Sequence, residues 1–333
     1  MSSQARIISL LPAATELVCA LEAMESLVAI SHECDYPPGI ADLPRVTTST
    51  VDRDASSASI DAAIRVLSNS GQPVFALDAA DIVQLAPTVI LTQALCDVCA
   101  VTDGDVRDLA TLVSPAPHLI SLNGTTLDAI WDDFANVGVA IGRADEATAL
   151  LATIALRIQA VHERLKAARA HRPRVAVIEW LDPLFVAGHW TPELVRRAGG
   201  IDVLANAGAH SVQIDIGQIR RATPDVLLFA PCGFDVVRAE GEARALLRSD
   251  EWSWAQGCDS WALDGNALTS RAGPRLADAV EVMASIFAPS LFAPPSALYA
   301  RKLSSDATPK ARSSPRQAQG TQQTAAWPLW DSA

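Results

Sequence analysis

The chain has 333 residues, half of them hydrophobic, and a formal net charge of -12 at pH 7. That length and apolar content exclude a disordered or fibrous protein and give enough chain for about two domains with buried cores. The acidic balance and the lack of any basic patch in the sequence argue against a nucleic-acid partner, because phosphate binding draws on clustered Lys and Arg.

The apolar run from Ile7 to Leu21 is interrupted by Pro12 and Glu16. It reads as strand Arg6–Leu11 followed by helix Ala13–Met24, with no small-residue cleavage site behind it. The expectation is therefore a cytoplasmic chain. No run approaches the roughly 18 apolar residues of a membrane span. In such a compartment the six cysteines read as thiols or ligands rather than as disulfides.

Strand Leu27–Ile30 and a long loop lead to helix Ile60–Leu67, with Ser59 as its expected cap. Helix Ala79–Leu85, strand Val89–Thr92, a cysteine-bearing loop, helix Asp103–Leu112, strand His118–Leu122 and helix Leu127–Ile141 follow. Strands separated by helices predict a parallel sheet covered on both faces.

The next stretch, Asp145 to His171, has apolar residues at Ala147, Leu151, Ile154, Ile158, Val161, Leu165 and Ala168. Steps of four and three make the stripe of one long amphipathic helix, with Asp145 as expected N-cap and Pro173 as its stop. At about 1.5 Å per residue it runs roughly 40 Å, the width of a domain. It reads as a rigid strut between two lobes.

Beyond it the strand–helix grammar repeats. Strand Arg174–Glu179 precedes Thr191-Pro192-Glu193, a helix start with cap, N1 proline and acidic first turn. Strand Asp225–Phe229, helix Val236–Leu247, strand Trp261–Leu263 and helix Pro274–Phe287 follow. After Tyr299 the composition turns to Ser, Thr, Gln, Ala, Lys and Arg, the signature of a disordered tail. The expected divisions are a first lobe over 1–142, the strut over 143–172, a second lobe over 173–299 and the tail over 300–333.

In open parallel sheets, ligands meet the loops leaving the carboxyl ends of strands. The unusual residues collect there: Ser31-His-Glu-Cys-Asp-Tyr-Pro-Pro38, Gln93-Ala-Leu-Cys-Asp-Val-Cys99, the stretch from Trp180 to Trp190, Pro231-Cys-Gly-Phe-Asp235 and Asp264-Gly-Asn266. Nothing supports a nucleotide cofactor, since no Gly-x-Gly-x-x-Gly follows a strand and no phosphate-loop lysine motif exists. A Gly-x-Ser-x-Gly elbow is also missing.

Four motifs, in order, resemble a known family. Ile8-Ser-Leu-Leu-Pro-Ala-Ala-Thr-Glu16, Asp35-Tyr-Pro-Pro38, the strut and Arg271-Ala-Gly-Pro-Arg275 are similar to periplasmic-type binding proteins whose lobes are joined by one helix. Within them the chain looks most like the cobalamin-binding, vitamin-B12-uptake group, over about residues 6–292. The resemblance implies two Rossmann-like α/β lobes on one long backbone helix, with a ligand cleft between the lobes. It implies a corrinoid as the ligand, touched by Tyr36, Phe185, Asp264 and Arg271, with an ABC permease as partner and a periplasmic place for exported relatives. Where the family carries a tryptophan after the fourth strand, this chain has Gln93 and the Cys-x-x-Cys. A monomer is expected.

The residues themselves leave alternatives open. Cys96 and Cys99 precede a helix whose backbone N–H groups would favour a thiolate. With Cys34 and Cys232 they could hold a metal ion, and His32 or His189 could join or replace a thiol. Buried, inert thiols are the competing reading, because free cysteine is among the most buried residue types. His32, His189 and Trp190 serve equally as ligand contacts or as packed structural groups. The leading expectation is a non-enzymatic corrinoid binder. Its rivals are a Cys/His-dependent enzyme acting on a corrinoid or tetrapyrrole, and a binder of haem or an iron chelate.

Overall fold

The computed structural model describes residues 5–93 and 103–303. The first lobe opens with β1 (Ile7–Ser9), α1 (Pro12–Ala20), β2 (Leu27–Ile30) and β3 (Thr47–Ser49). It continues with α2 (Ser57–Ser70), β4 (Phe75–Leu77), α3 (Ala79–Leu85), β5 (Val89–Thr92), α4 (Asp103–Ala110), β6 (His118–Ser121) and α5 (Leu127–Ala140). Its main sheet is parallel in the order β2-β1-β5-β6, and β3 pairs antiparallel with β4 beside it. Helix α2 starts earlier than expected, because Ser56 rather than Ser59 caps it, accepting from the Ser59 backbone N–H.

The strut is α6 (Ala144–Ala167), unbroken over 24 residues. Asp145 lies inside its first turn beside Glu146, and Arg143 occupies the cap position without a side-chain cap. The two acidic groups act instead on the positive helix start. Ala147, Ile154, Ile158, Val161 and Leu165 form its buried stripe, as the periodicity predicts.

The second lobe holds β7 (Arg174–Leu181), β8 (Leu184–Val186), α7 (Thr191–Arg197), β9 (Ile201–Asp202), β10 (Val212–Gln213) and α8 (Ile216–Arg221). It ends with β11 (Val226–Phe229), α9 (Val236–Leu247), β12 (Asp259–Leu263), α10 (Gly265–Leu268), α11 (Leu276–Phe287) and β13 (Ala300–Lys302). Its sheet is not wholly parallel: β7, β11 and β12 form a parallel centre, while β8, β10 and β13 add antiparallel edges. The expected tail boundary also moves. Ala300 pairs with Leu263 and Lys302 with Trp261, so 300–302 belong to the sheet, and Leu303 still bonds Ser260. A polar run can serve as an edge strand because only one of its sides meets the lobe.

Two cores clasp this second sheet. Val175, Val177, Val226 and Leu228 pack with α6 and α11 in an apolar core that continues through Ile7, Leu17 and Phe134 of the first lobe. Ala176, Ile178, Leu227 and Phe229, alternating with them, pack on the other face with Trp252 and with Ile60 of α2. Helix α2 thus reaches from the first lobe across to the second. Arg238 of α9 donates to the Arg53 and Ala55 carbonyls, and Ser57 donates to Glu242.

Candidate functional site

The lobes meet at a polar seam built from α1, the loop after β2 and the turn leading into α11. Arg271, 6% exposed, comes from the second lobe. Its Nη1 donates to Glu16 Oε1 at 2.9 Å and to Asp35 Oδ1 at 2.6 Å. Its Nη2 donates to Asn266 Oδ1 at 2.7 Å and Asp35 Oδ2 at 3.1 Å. Arg275 follows four residues later, at the cap position of α11, and also grips Glu16, Nε to Oε2 at 2.8 Å and Nη2 to Oε1 at 2.6 Å. Its guanidinium lies over the Tyr36 ring, 4.4 Å from the centroid.

This seam sets two guanidiniums against two carboxylates, the bidentate arrangement in which a desolvated pair recovers most of its hydration. Burial works against both arginine charges, but the hydrogen bonds and charges of Asp35 and Glu16 outweigh it and hold both above their ordinary range. Asp35 is desolvated too, yet Arg271 keeps its carboxyl below the usual range. Glu33 shifts the opposite way because desolvation dominates there, despite Arg53 and Arg271. Asp264 caps α10 through the Ala267 N–H at 2.7 Å, and burial raises its carboxyl.

On the same first-lobe loop, His32 Nδ1 lies 2.6 Å from Thr47 Oγ1, and its ring tilts against Phe75 at 5.6 Å. Burial, followed by the charges of Arg53 and Arg45, lowers its pKa to about 4. Cys34 is buried with Sγ 3.0 Å from Thr15 Oγ1, and burial raises the thiol to about 11. Gln93 is half-buried just past β5.

In the second lobe, Phe185 pairs with Trp180 across the β7–β8 turn. His189 takes a left-handed backbone, φ 51, with its N–H 2.6 Å from the Ala209 carbonyl and its ring edge-on to His210 at 5.2 Å. Burial lowers its pKa. Trp190 is 6% exposed in the core shared by the lobes and donates its indole N–H to the Thr269 carbonyl at 2.9 Å. It therefore braces the wall from behind rather than presenting a ring to a ligand.

The four-cysteine metal site has no support here. Among the described residues no group of three or more His, Cys, Asp or Glu could hold an ion. Cys34 is locked beneath Thr15, Cys232 is exposed on the other lobe, and Cys96 and Cys99 lie outside the described residues.

Of the expected contacts, the seam joins Tyr36 and Arg271, with Asp264 close behind. Phe185, His189 and Trp190 lie apart from it on the second lobe. Sequence reasoning missed Glu16 and Asp35 as partners. Glu16 was visible only as a carboxylate interrupting an apolar run, which is itself the signal of a charge to be buried against another.

Two α/β lobes hung on one helix, with their sheets' loops turned to a common seam, define a two-lobed solute-binding protein rather than an enzyme. A family model described as "Periplasmic binding protein" matches residues 7–254, and the chain belongs to that family. It is 24% identical to a vitamin B12-binding protein of Vibrio cholerae over 276 residues, 83% of this chain and 86% of that one. Among solved structures it is similar to the periplasmic vitamin B12 binding protein of Vibrio cholerae, with TM-score 0.61 and 23% identity over 86% of this chain and 98% of that one. A periplasmic haem-binding protein of Pseudomonas aeruginosa superposes with TM-score 0.65 and 18% identity, covering 88% of this chain and 96% of the other.

Proposed function

We propose that this protein binds a cobalamin-like corrinoid between its lobes, as a monomer, and delivers it to an ABC permease. The observation that carries the reading is the similarity to a vitamin B12-binding protein along 83% of the chain. A corrinoid is large, partly apolar and edged with amides, which suits aromatic faces with a few placed polar groups. Tyr36 and Phe185 are the proposed faces, and Asp264, Arg271 and Gln93 the proposed partners of the amides. His32 of the first lobe and His189 of the second are the further proposed contacts, and Trp190 supports the second-lobe wall. Arg271 reaches a ligand only as Asp35, its exposed partner, gives way. The relatives named above include periplasmic proteins, which favours an extracytoplasmic place over the cytoplasm expected from the first residues.

A haem ligand is the second reading, favoured by the higher structural similarity to a haem-binding protein. Parallel titrations of the purified chain with hydroxocobalamin and with haemin decide between them. Saturable, tighter binding of hydroxocobalamin, weakened at least tenfold in Tyr36→Ala and Phe185→Ala, is the expected result. Tighter binding of haemin transfers the site to the second reading.

A further inference from the structure

One of the unsatisfied buried polar groups near the seam is the imidazole of His32. The Thr47 hydroxyl lies at the centre of its surroundings. Thr47 Oγ1 donates its one hydrogen to Ser31 Oγ at 3.0 Å and accepts from the His32 backbone N–H at 2.9 Å. With that hydrogen committed, Thr47 can only accept from the ring, so Nδ1, 2.6 Å away, carries the imidazole proton. The lone pair is thereby assigned to Nε2. That atom is buried, and among the described residues no hydrogen-bond partner meets it. A buried acceptor without a donor is a standing cost to the fold.

One nitrogen donating to a fixed oxygen while the other offers a bare lone pair is how a histidine is set up to bind a metal. The residue sits three and four positions before Asp35 and Tyr36, on the loop that reaches the seam.

We propose that His32 Nε2 is an axial ligand to the cobalt of a bound corrinoid. This rests on the corrinoid reading above and deepens it. The exchange moves no proton: Nε2 gives its electron pair to cobalt, a Co–N bond forms, and a cobalt-bound water leaves with its own pair. Accommodating the metal requires the cover over Nε2 to shift, so the bond forms only with ligand present. Thr47 acts as the positioning residue that fixes the tautomer.

Cobinamide, which lacks the nucleotide base and so brings no axial nitrogen of its own, is the probe. The full chain is loaded with cobinamide reduced to Co(II) and its electron paramagnetic resonance spectrum is recorded. The expected spectrum shows cobalt lines split into nitrogen triplets, absent in His32→Ala and kept in His171→Ala, a change at an exposed histidine beyond the strut. Growth on ring-15N histidine should turn the triplets into doublets in the unaltered protein, a readout that does not depend on any variant folding. Co-eluting cobinamide without nitrogen splitting, or splitting that survives in a folded His32→Ala, overturns the proposal while leaving the corrinoid reading intact. Failure of any corrinoid to co-elute ends both.

Discussion

Glu16 of the first lobe and Arg271 of the second are buried together, their side chains 2% and 5% exposed and 2.9 Å apart. Neither charge could stay desolvated alone, so each lobe completes a group the other cannot satisfy. Arg275 shares Glu16 and Asp35 shares Arg271, which turns a pair into a chain of charges across the seam.

Removing the central carboxylate should therefore be severe. Glu16→Gln removes the one carboxylate that Arg275 hydrogen-bonds, leaving it the face of Tyr36 and the more distant charges of Asp35 and Asp264; breaking a buried pair in this way costs about 3–5 kcal/mol. Urea unfolding of the variant should show that loss. A change below about 1 kcal/mol would mean the seam is wetter than its geometry indicates.

Acid should weaken the fold partly through His32. Its folded pKa is about 4 and its ordinary value 6.5. Between these limits the unfolded chain takes up a proton that the folded chain refuses, so stability is complete above pH 6.5 and falls as pH drops toward 4. Urea midpoints measured across that window should decline less steeply in His32→Gln; parallel slopes would show that the ring titrates normally in the fold.

Helix α2 is held by Ile60, 8% exposed against the second lobe. Ile60→Ala should cost about 2–4 kcal/mol in a well-packed setting. Because the contact crosses the lobes, its loss should appear first as faster hydrogen exchange in 51–64, with the strands of both sheets protected as before. Uniform acceleration everywhere would instead make α2 part of one cooperative unit.

Thiol chemistry should separate the cysteines by depth. Burial raises both Cys34 and Cys19 to about 11, so neither offers much thiolate at pH 8, whereas Cys232 is exposed. Brief treatment of native protein with iodoacetamide, followed by peptide mass spectrometry, should label Cys232 ahead of both. Early labelling of Cys34 would require the seam loop to open readily.

Much of this architecture was legible in the chain. The strands Leu27–Ile30 and Val89–Thr92 and the helices Ala79–Leu85 and Val236–Leu247 fall where period and turn residues place them. The two strands are almost wholly buried and Val236–Leu247 is long, while Asp78 caps the short Ala79–Leu85, so a local signal decides each. The misses are short or non-local. Strands β3, β8 and β10 span two or three residues, too few to show a period, and exist because a neighbour offers hydrogen bonds. Ser56 and Ser59 are equally good caps on paper, and packing of Ile60 on the other lobe selects the earlier start. Arg271 was expected as a ligand contact, but the partners it has in the fold lie far away in sequence, and no spacing rule connects them. Trp190 was visible as an aromatic on the right loop, while the direction of its ring was fixed by Thr269, a contact the sequence does not announce.

The second lobe's sheet is gripped on one face by α6 and on the other by α2, both of which are continuous with the first lobe. A molecule joined by α6 alone could yawn freely about that one axle. Here any widening of the gap must also peel Ile60 and its neighbours off Ile178 and Phe229, so aperture and detachment are a single act. Entry and exit of a guest are thereby geared to the undocking of one short apolar helix edge, and altering that edge should retune exchange kinetics without touching a single group that meets the guest.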